Sequence, residues 1–122
     1  MNPSKIDIRP WGQFEQFTHN EQTTVKIISV KAGQRLSKQR HQKRDELWIA
    51  LDDGLIAEIN EKAIDFKKGD KIFIPKTTIH RISTKDDLLN KHGIKEARFL
   101  EIAYGEFDEL DIERLSDDYG RK

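Results

Sequence analysis

The sequence predicts an all-β domain, a sandwich or jelly-roll barrel with a short helix near its C-terminus. Three observations point there. Short segments rich in Ile, Val, Phe and Thr recur from residue 13 to residue 104, and such segments read as strands. They are separated by Gly, Asn and Asp turns, whose residues tolerate or require left-handed backbone. The chain of 122 residues is long enough for one core and too short for two, so residues 1–122 are expected to form a single domain.

Each element follows from its local pattern. Residues 13–18 and 23–31 form the first two expected strands, and residues 34–41 form a third that runs into the polar stretch Gln42-Lys43-Arg44-Asp45. Residues 46–51 and 55–59 flank Asp52-Asp53-Gly54, a hairpin loop in which glycine supplies positive φ. Asn60-Glu61 closes a second hairpin with residues 62–66, and Lys67-Lys68-Gly69-Asp70 turns the chain into residues 71–75. Residues 80–83 and 98–104 complete the strand set. Between them the charged connection 84–95 is longer than a hairpin needs and reads as a surface loop with one helical turn. Residues 108–117 read as a short helix whose Leu110, Ile112 and Leu115 pack back on the barrel.

Composition narrows the function classes. Lys+Arg and Asp+Glu number 22 each, so there is no overall field to draw nucleic acid or a membrane surface. Charged residues make up 36% of the chain, and no apolar run has signal-peptide or membrane-spanning length. With no cysteine, a thiolate metal site is excluded, and a cytoplasmic location is expected. No glycine-rich phosphate loop is present, so no nucleotidyltransferase activity is expected.

The chemistry concentrates in two spaced motifs. Gln39-x-His41-x4-Glu46 is answered downstream by Gly69-x5-Pro75-x4-His80. On strands, alternate residues share a face, so Gln39 and His41 project together. Glu46 has the wrong parity to follow His41 on an uninterrupted strand, so residues 42–45 must bend. Two imidazoles, a carboxylate and an amide oxygen then converge as a divalent metal site. Two His and one carboxylate leave open coordination positions, which suits a catalytic first-row metal. These donors accept zinc, manganese, iron, cobalt or nickel.

The spacing resembles the two cupin motifs, with Gln39 in the place of the usual first His. A closer resemblance is to the type II phosphomannose isomerase domain, often the C-terminal part of a bifunctional enzyme with mannose-1-phosphate guanylyltransferase activity. It is carried by Arg9-Pro10-Trp11-Gly12, Gly33-x2-Leu36-Ser37-x-Gln39-x-His41-x2-Arg44-x-Glu46-x-Trp48, Ile74-Pro75-x4-His80-Arg81, Gly105-Glu106 and Asp118-Tyr119-Gly120-Arg121. The resemblance implies a cupin double-stranded β-helix and a metal held by Gln39, His41, Glu46 and His80. It implies a metal-dependent aldose–ketose isomerase for mannose 6-phosphate and fructose 6-phosphate. The chain departs from the family at Gln42 and Lys43, where further histidines are common.

Roles for the remaining residues follow from that resemblance. Arg44 suits a developing oxyanion, and Arg81, Lys26 or Arg121 suit a phosphate dianion, which favours guanidinium donors. For each, an ordinary structural ion pair is the competing reading. Glu101, Lys43 and Glu15 are candidates for the general base. Trp11 and Trp48 are expected in the core, His19 and His92 on the surface, and the Asp118-Tyr119-Gly120-Arg121 tail tied across the barrel or against a partner. The expected partners are a small sugar phosphate and a second copy of the chain, paired through an exposed strand edge. Two alternatives stand: a cupin acting on another sugar phosphate or a nucleotide sugar, and a non-catalytic sugar- or metal-binding module.

Overall fold

The computed structural model describes residues 4–121. Two antiparallel strands, β1 (Lys5–Arg9) and β2 (Gly12–Gln16), form a hairpin, followed by β3 (Thr23–Lys31), β4 (Lys38–Arg40), β5 (Asp45–Ala50), β6 (Leu55–Ile59), β7 (Lys62–Phe66), β8 (Lys71–Ile74) and β9 (His80–Thr84). A helical turn, α1 (Leu88–His92), leads to β10 (Glu96–Tyr104) and β11 (Glu113–Ser116). A four-stranded sheet in the order β3-β10-β5-β8 faces a five-stranded sheet in the order β11-β4-β9-β6-β7. Sequence neighbours repeatedly fall in opposite sheets, which is the jelly-roll arrangement.

Alternation along the strands places the core between the sheets. Trp48, Ala50 and Phe99 come from the four-stranded sheet, and Leu55, Ala57, Phe66 and Ile82 from the five-stranded one, in a single cluster. Trp48 lies 5.4 Å from Phe99 and 6.5 Å from Phe66 between ring centroids. Phe66 is fully buried, so truncating it to alanine should cost about 3–5 kcal/mol. The turn at Asn60 and Glu61 has positive φ at both residues, 47° and 70°, and its twist matches the β6–β7 strands it joins. At Gly54, φ is +102°, and an added Cβ would lie 2.5 Å from Leu88 Cδ2. The glycine therefore lets α1 seat Leu88 in the core. The turn ends at Gly93 in left-handed conformation, φ 65°, as helix ends commonly do.

Several expectations are corrected. The C-terminal helix expected over residues 108–117 is absent: this stretch runs extended, and β11 pairs with β4, Glu113 opposite Arg40 and Arg114 opposite Gln39. An open sheet edge offered more backbone hydrogen bonds than an isolated helical turn could keep. Leu110 is 88% exposed and Leu115 is exposed too; only Ile112 of that trio turns inward, onto the wall of a cavity. The long strand expected over residues 34–41 is reduced to β4 and an isolated bridge between Arg35 and Ser83. Trp11 is 73% exposed, at the tip of the β1–β2 hairpin, rather than in the core. Strand β1 was not anticipated, although Ile6 and Ile8 alternate with Lys5, Asp7 and Arg9. The tail is tied to the turn after β3: Arg35 donates to Asp118 at 2.7 and 2.9 Å, and the Tyr119 hydroxyl donates to Gln34 Oε1 at 2.6 Å.

Candidate metal centre

One end of the barrel core is polar. His41, Glu46 and His80 are all buried there, with one potential ligand atom from each lying within 4.8 Å of the others. His41 follows β4 directly, and residues 42–43 bend before β5 begins at Asp45. That bend restores the parity of Glu46. The second motif is pinned to the first by its backbone: Thr77 N–H donates to His41 O at 2.6 Å, and Lys76 N–H donates to the Asp45 carboxylate at 2.8 Å. His80 opens β9, opposite Gln39 of β4.

The two imidazoles are prepared in the same way. His41 donates Nδ1–H to the carbonyl of Asp111 at 2.7 Å, and His80 donates Nδ1–H to the carbonyl of Thr78 at 2.9 Å. A carbonyl only accepts, so each Nε2 keeps its lone pair. Those Nε2 atoms lie 3.6 and 3.9 Å from the two Glu46 oxygens. Burial lowers the pKa of both histidines, against the opposing pull of Glu46, which favours the neutral form. Neutral Nε2 atoms oriented through Nδ1–H are the form in which imidazole binds a cation. The donor set fits a divalent ion.

Glu46 is held by two more donors. Arg44 Nε donates to its Oε2 at 3.0 Å and Trp48 Nε1 to its Oε1 at 3.1 Å. Arg44 also donates to His41 Nε2 at 3.3 Å and to the carbonyl of Asp108 at 3.2 Å. Its guanidinium lies 4.2 Å from the centre of the Phe107 ring, and Lys26 Nζ lies 4.1 Å from the same ring. Trp48 is a core aromatic, and its ring centre is 5.3 Å from His80 in an edge-on contact.

A cavity of about 300 Å³ opens beside the cluster, and Lys26, Gln39, His41, Arg44, Glu101 and Arg121 are on its wall. Glu101 stands between Lys26 on β3 and Trp48 on β5 in the sheet register. Burial, then repulsion from Glu46, raises its pKa to about 7, against the pull of Arg44 and Lys26. A larger cavity of about 460 Å³ under Tyr119 contains none of the His41, Glu46 and His80 cluster.

Three candidates lie elsewhere. Arg81 alternates to the opposite side of β9 from His80, and its buried guanidinium donates to Leu36 O at 3.0 Å and to Ser116 O at 3.2 Å. Those contacts hold the C-terminal segment, so a phosphate role for Arg81 is withdrawn. Lys43 is exposed in the bend and is not on the cavity wall. Glu15 accepts from Ser4 and pairs with Lys71 at 3.2 Å, also away from the cavity. Neither fits a general base at this site. Arg121 reaches the wall while paired to Asp117 at 2.8 Å. His19 and His92 are exposed.

Two residues at the site escaped the sequence reading. Phe107 could have been suspected as an aromatic just after Gly105-Glu106. Asp111 carried no signal, being one acid among many in a stretch that read as helical.

The family profile described as "Mannose-6-phosphate isomerase C-terminal" matches residues 3–117. The alginate biosynthesis protein AlgA of Pseudomonas aeruginosa is 32% identical over 114 residues, covering 93% of this chain and 22% of that protein. The mannose-1-phosphate guanylyltransferase ManC of Salmonella typhimurium is 31% identical, with 93% and 22% covered. The chain thus spans about a fifth of the length of these curated relatives. Among solved structures, a cupin-like protein from Thermotoga maritima superposes with a TM-score of 0.61 at 21% identity, covering 78% of this chain and 65% of that one. Pac13, a nucleoside dehydratase from Streptomyces, gives 0.61 at 14% identity, with 94% and 87% covered. At these identities the structural likeness bears on the fold, which is cupin-like. No helix among the described residues is long and apolar enough to cross a membrane.

Proposed function

This chain belongs to the mannose-6-phosphate isomerase C-terminal family, and from that premise we propose that it interconverts mannose 6-phosphate and fructose 6-phosphate with a divalent metal. The observation that carries the reading is the convergence of His41, Glu46 and His80 at the edge of a cavity whose wall holds His41 and the Glu101 carboxyl. Gln39, opposite His80, is the fourth ligand in this reading. A cation held there supplies Lewis-acid stabilisation of the negative charge that develops on the sugar oxygens.

The chain's own residues do the rest. Glu101, with a pKa of about 7, is suited to exchange a proton near neutrality. It takes the proton from C2 of the aldose and returns it to C1, while the hydroxyl proton moves from O2 to O1. Arg44, fixed by Glu46, Asp108 O and the Phe107 face, presents a guanidinium to the developing oxyanion. Lys26 and Arg121 on the cavity wall receive the phosphate.

The reading includes a homodimer. Ile6, Ile8 and Trp11 of the β1–β2 hairpin are exposed, and a paired strand edge would cover apolar surface of that kind.

The test is proton NMR of mannose 6-phosphate in heavy water with the metal-loaded protein. Deuterium entering the sugar at the exchanging carbon, abolished in His80→Ala, is the expected result. Binding of metal and sugar phosphate with no exchange would instead assign a non-catalytic module.

A further inference from the structure

The carbonyls that orient His41 and His80 come from very different distances along the chain. The carbonyl that fixes His80 belongs to Thr78, two residues away, so its ring is set locally. The carbonyl that fixes His41 belongs to Asp111, 70 residues away. Asp111 also reaches the bend after His41 with its side chain: Oδ1 accepts Gln42 N–H at 2.9 Å and Oδ2 accepts Lys43 N–H at 3.0 Å. One residue thus holds this bend and the His41 ring by three hydrogen bonds.

We propose that Asp111 is the positioning residue for His41. Its carboxylate locks the bend at residues 42–43 against the C-terminal segment, and this holds the Asp111 carbonyl where only the Nδ1–H tautomer of His41 is satisfied. The Nε2 lone pair then faces Arg44 and Glu46, with the His80 ring centre 5.0 Å from its own. Asp111 is not on the cavity wall, so its role is exerted through the His41 ring. The consequence for metal affinity rests on the metal reading of the cluster, whereas the control of the His41 tautomer does not.

The test uses the full chain in four forms: wild type, Asp111→Ala, Asp111→Asn and Glu113→Ala. Glu113 lies on the same segment and pairs with Arg40 at 2.8 Å, so its loss loosens the segment without touching the bend. Nitrogen-15 correlation spectra of the metal-free proteins at one fixed pH read the tautomer of each histidine, and calorimetry with cobalt reads affinity. Wild type and Glu113→Ala are expected to show His41 only as the Nδ1–H form. Asp111→Ala should mix the tautomers at His41 and not at His80, and weaken cobalt binding about 10- to 100-fold. Asp111→Asn, with one acceptor oxygen for two N–H groups, should fall between them and carries the test if Asp111→Ala does not fold. An unchanged His41 tautomer in the Asp111 variants, or an equal change in Glu113→Ala, would overturn the proposal. If wild type binds no cobalt, the metal reading fails and the tautomer spectra still decide the role of Asp111.

Discussion

Gln39 and His80 face each other directly across the β4–β9 ladder. Directly opposed side chains have Cβ atoms about 4.5–5.5 Å apart on one face, so the Gln39 amide can share a cation with the His80 ring. An amide oxygen is a weaker ligand for first-row metals than imidazole. Gln39→His should tighten zinc or cobalt binding at least ~10-fold, and Gln39→Leu should weaken it by a similar factor, as read by calorimetry.

Glu46 neutralises a buried arginine. Arg44 and Glu46 are both buried and hydrogen-bonded to each other, so Glu46→Gln would leave a buried guanidinium without its counter-charge. The expected cost is about 3–5 kcal/mol, measured by urea unfolding of the metal-free protein. Trp48→Phe removes one donor to Glu46 and part of a buried ring and should cost about 2–4 kcal/mol.

Glu101 makes stability depend on pH. Its pKa is about 7 in the fold against 4.5 for the ordinary carboxyl, so between those values the folded chain holds a proton that the unfolded chain has released. By linkage, stability falls as pH rises through that window. Glu101→Gln should therefore be more stable than wild type above pH ~7, by up to about 3 kcal/mol, and lose the proposed isomerisation. Equal denaturation midpoints at pH 8 would refute this.

The two histidines act in the opposite sense. Burial holds their pKa values below the ordinary 6.5, so as pH falls below 6.5 the unfolded chain gains protons before the folded chain does. Stability is then lost toward acid. Saturating metal, which needs the neutral rings, should oppose that loss near neutrality and add about 2.7 kcal/mol at 100 times its dissociation constant. Thermal melts with and without a chelator, at pH 7.5 and 5.5, measure both effects.

In the proposed homodimer the β1–β2 hairpin is the pairing surface. Replacing exposed Ile6, Ile8 and Trp11 by serine should leave the fold intact, because none of them is in the core cluster. Sedimentation at micromolar concentration should give a dimer for wild type and a monomer for the triple variant.

What could be read in advance was local. The strands from β5 to β9 follow from alternation and from turns such as Asn60-Glu61, because a two-residue repeat and a positive-φ turn are properties of neighbouring residues. The bend between His41 and Glu46 was also legible, since parity alone demanded it. The side of β9 on which Arg81 falls follows from the same alternation, but not what it meets there: Leu36 arrives from the segment before β4 and Ser116 from β11.

The amino-acid sequence by itself determined the all-β class and brought His41, Glu46 and His80 forward as one chemical set, since residue type and spacing are written along the chain. Only tertiary structure decided that residues 113–116 join β4 instead of coiling, that Trp11 lies outside the core, and that Asp111 holds His41. Each of those outcomes depends on which distant backbone edge or carbonyl a segment meets. A strand pairing with a free edge satisfies several polar groups at once, and no local propensity of about 1 kcal/mol per residue or less outweighs that.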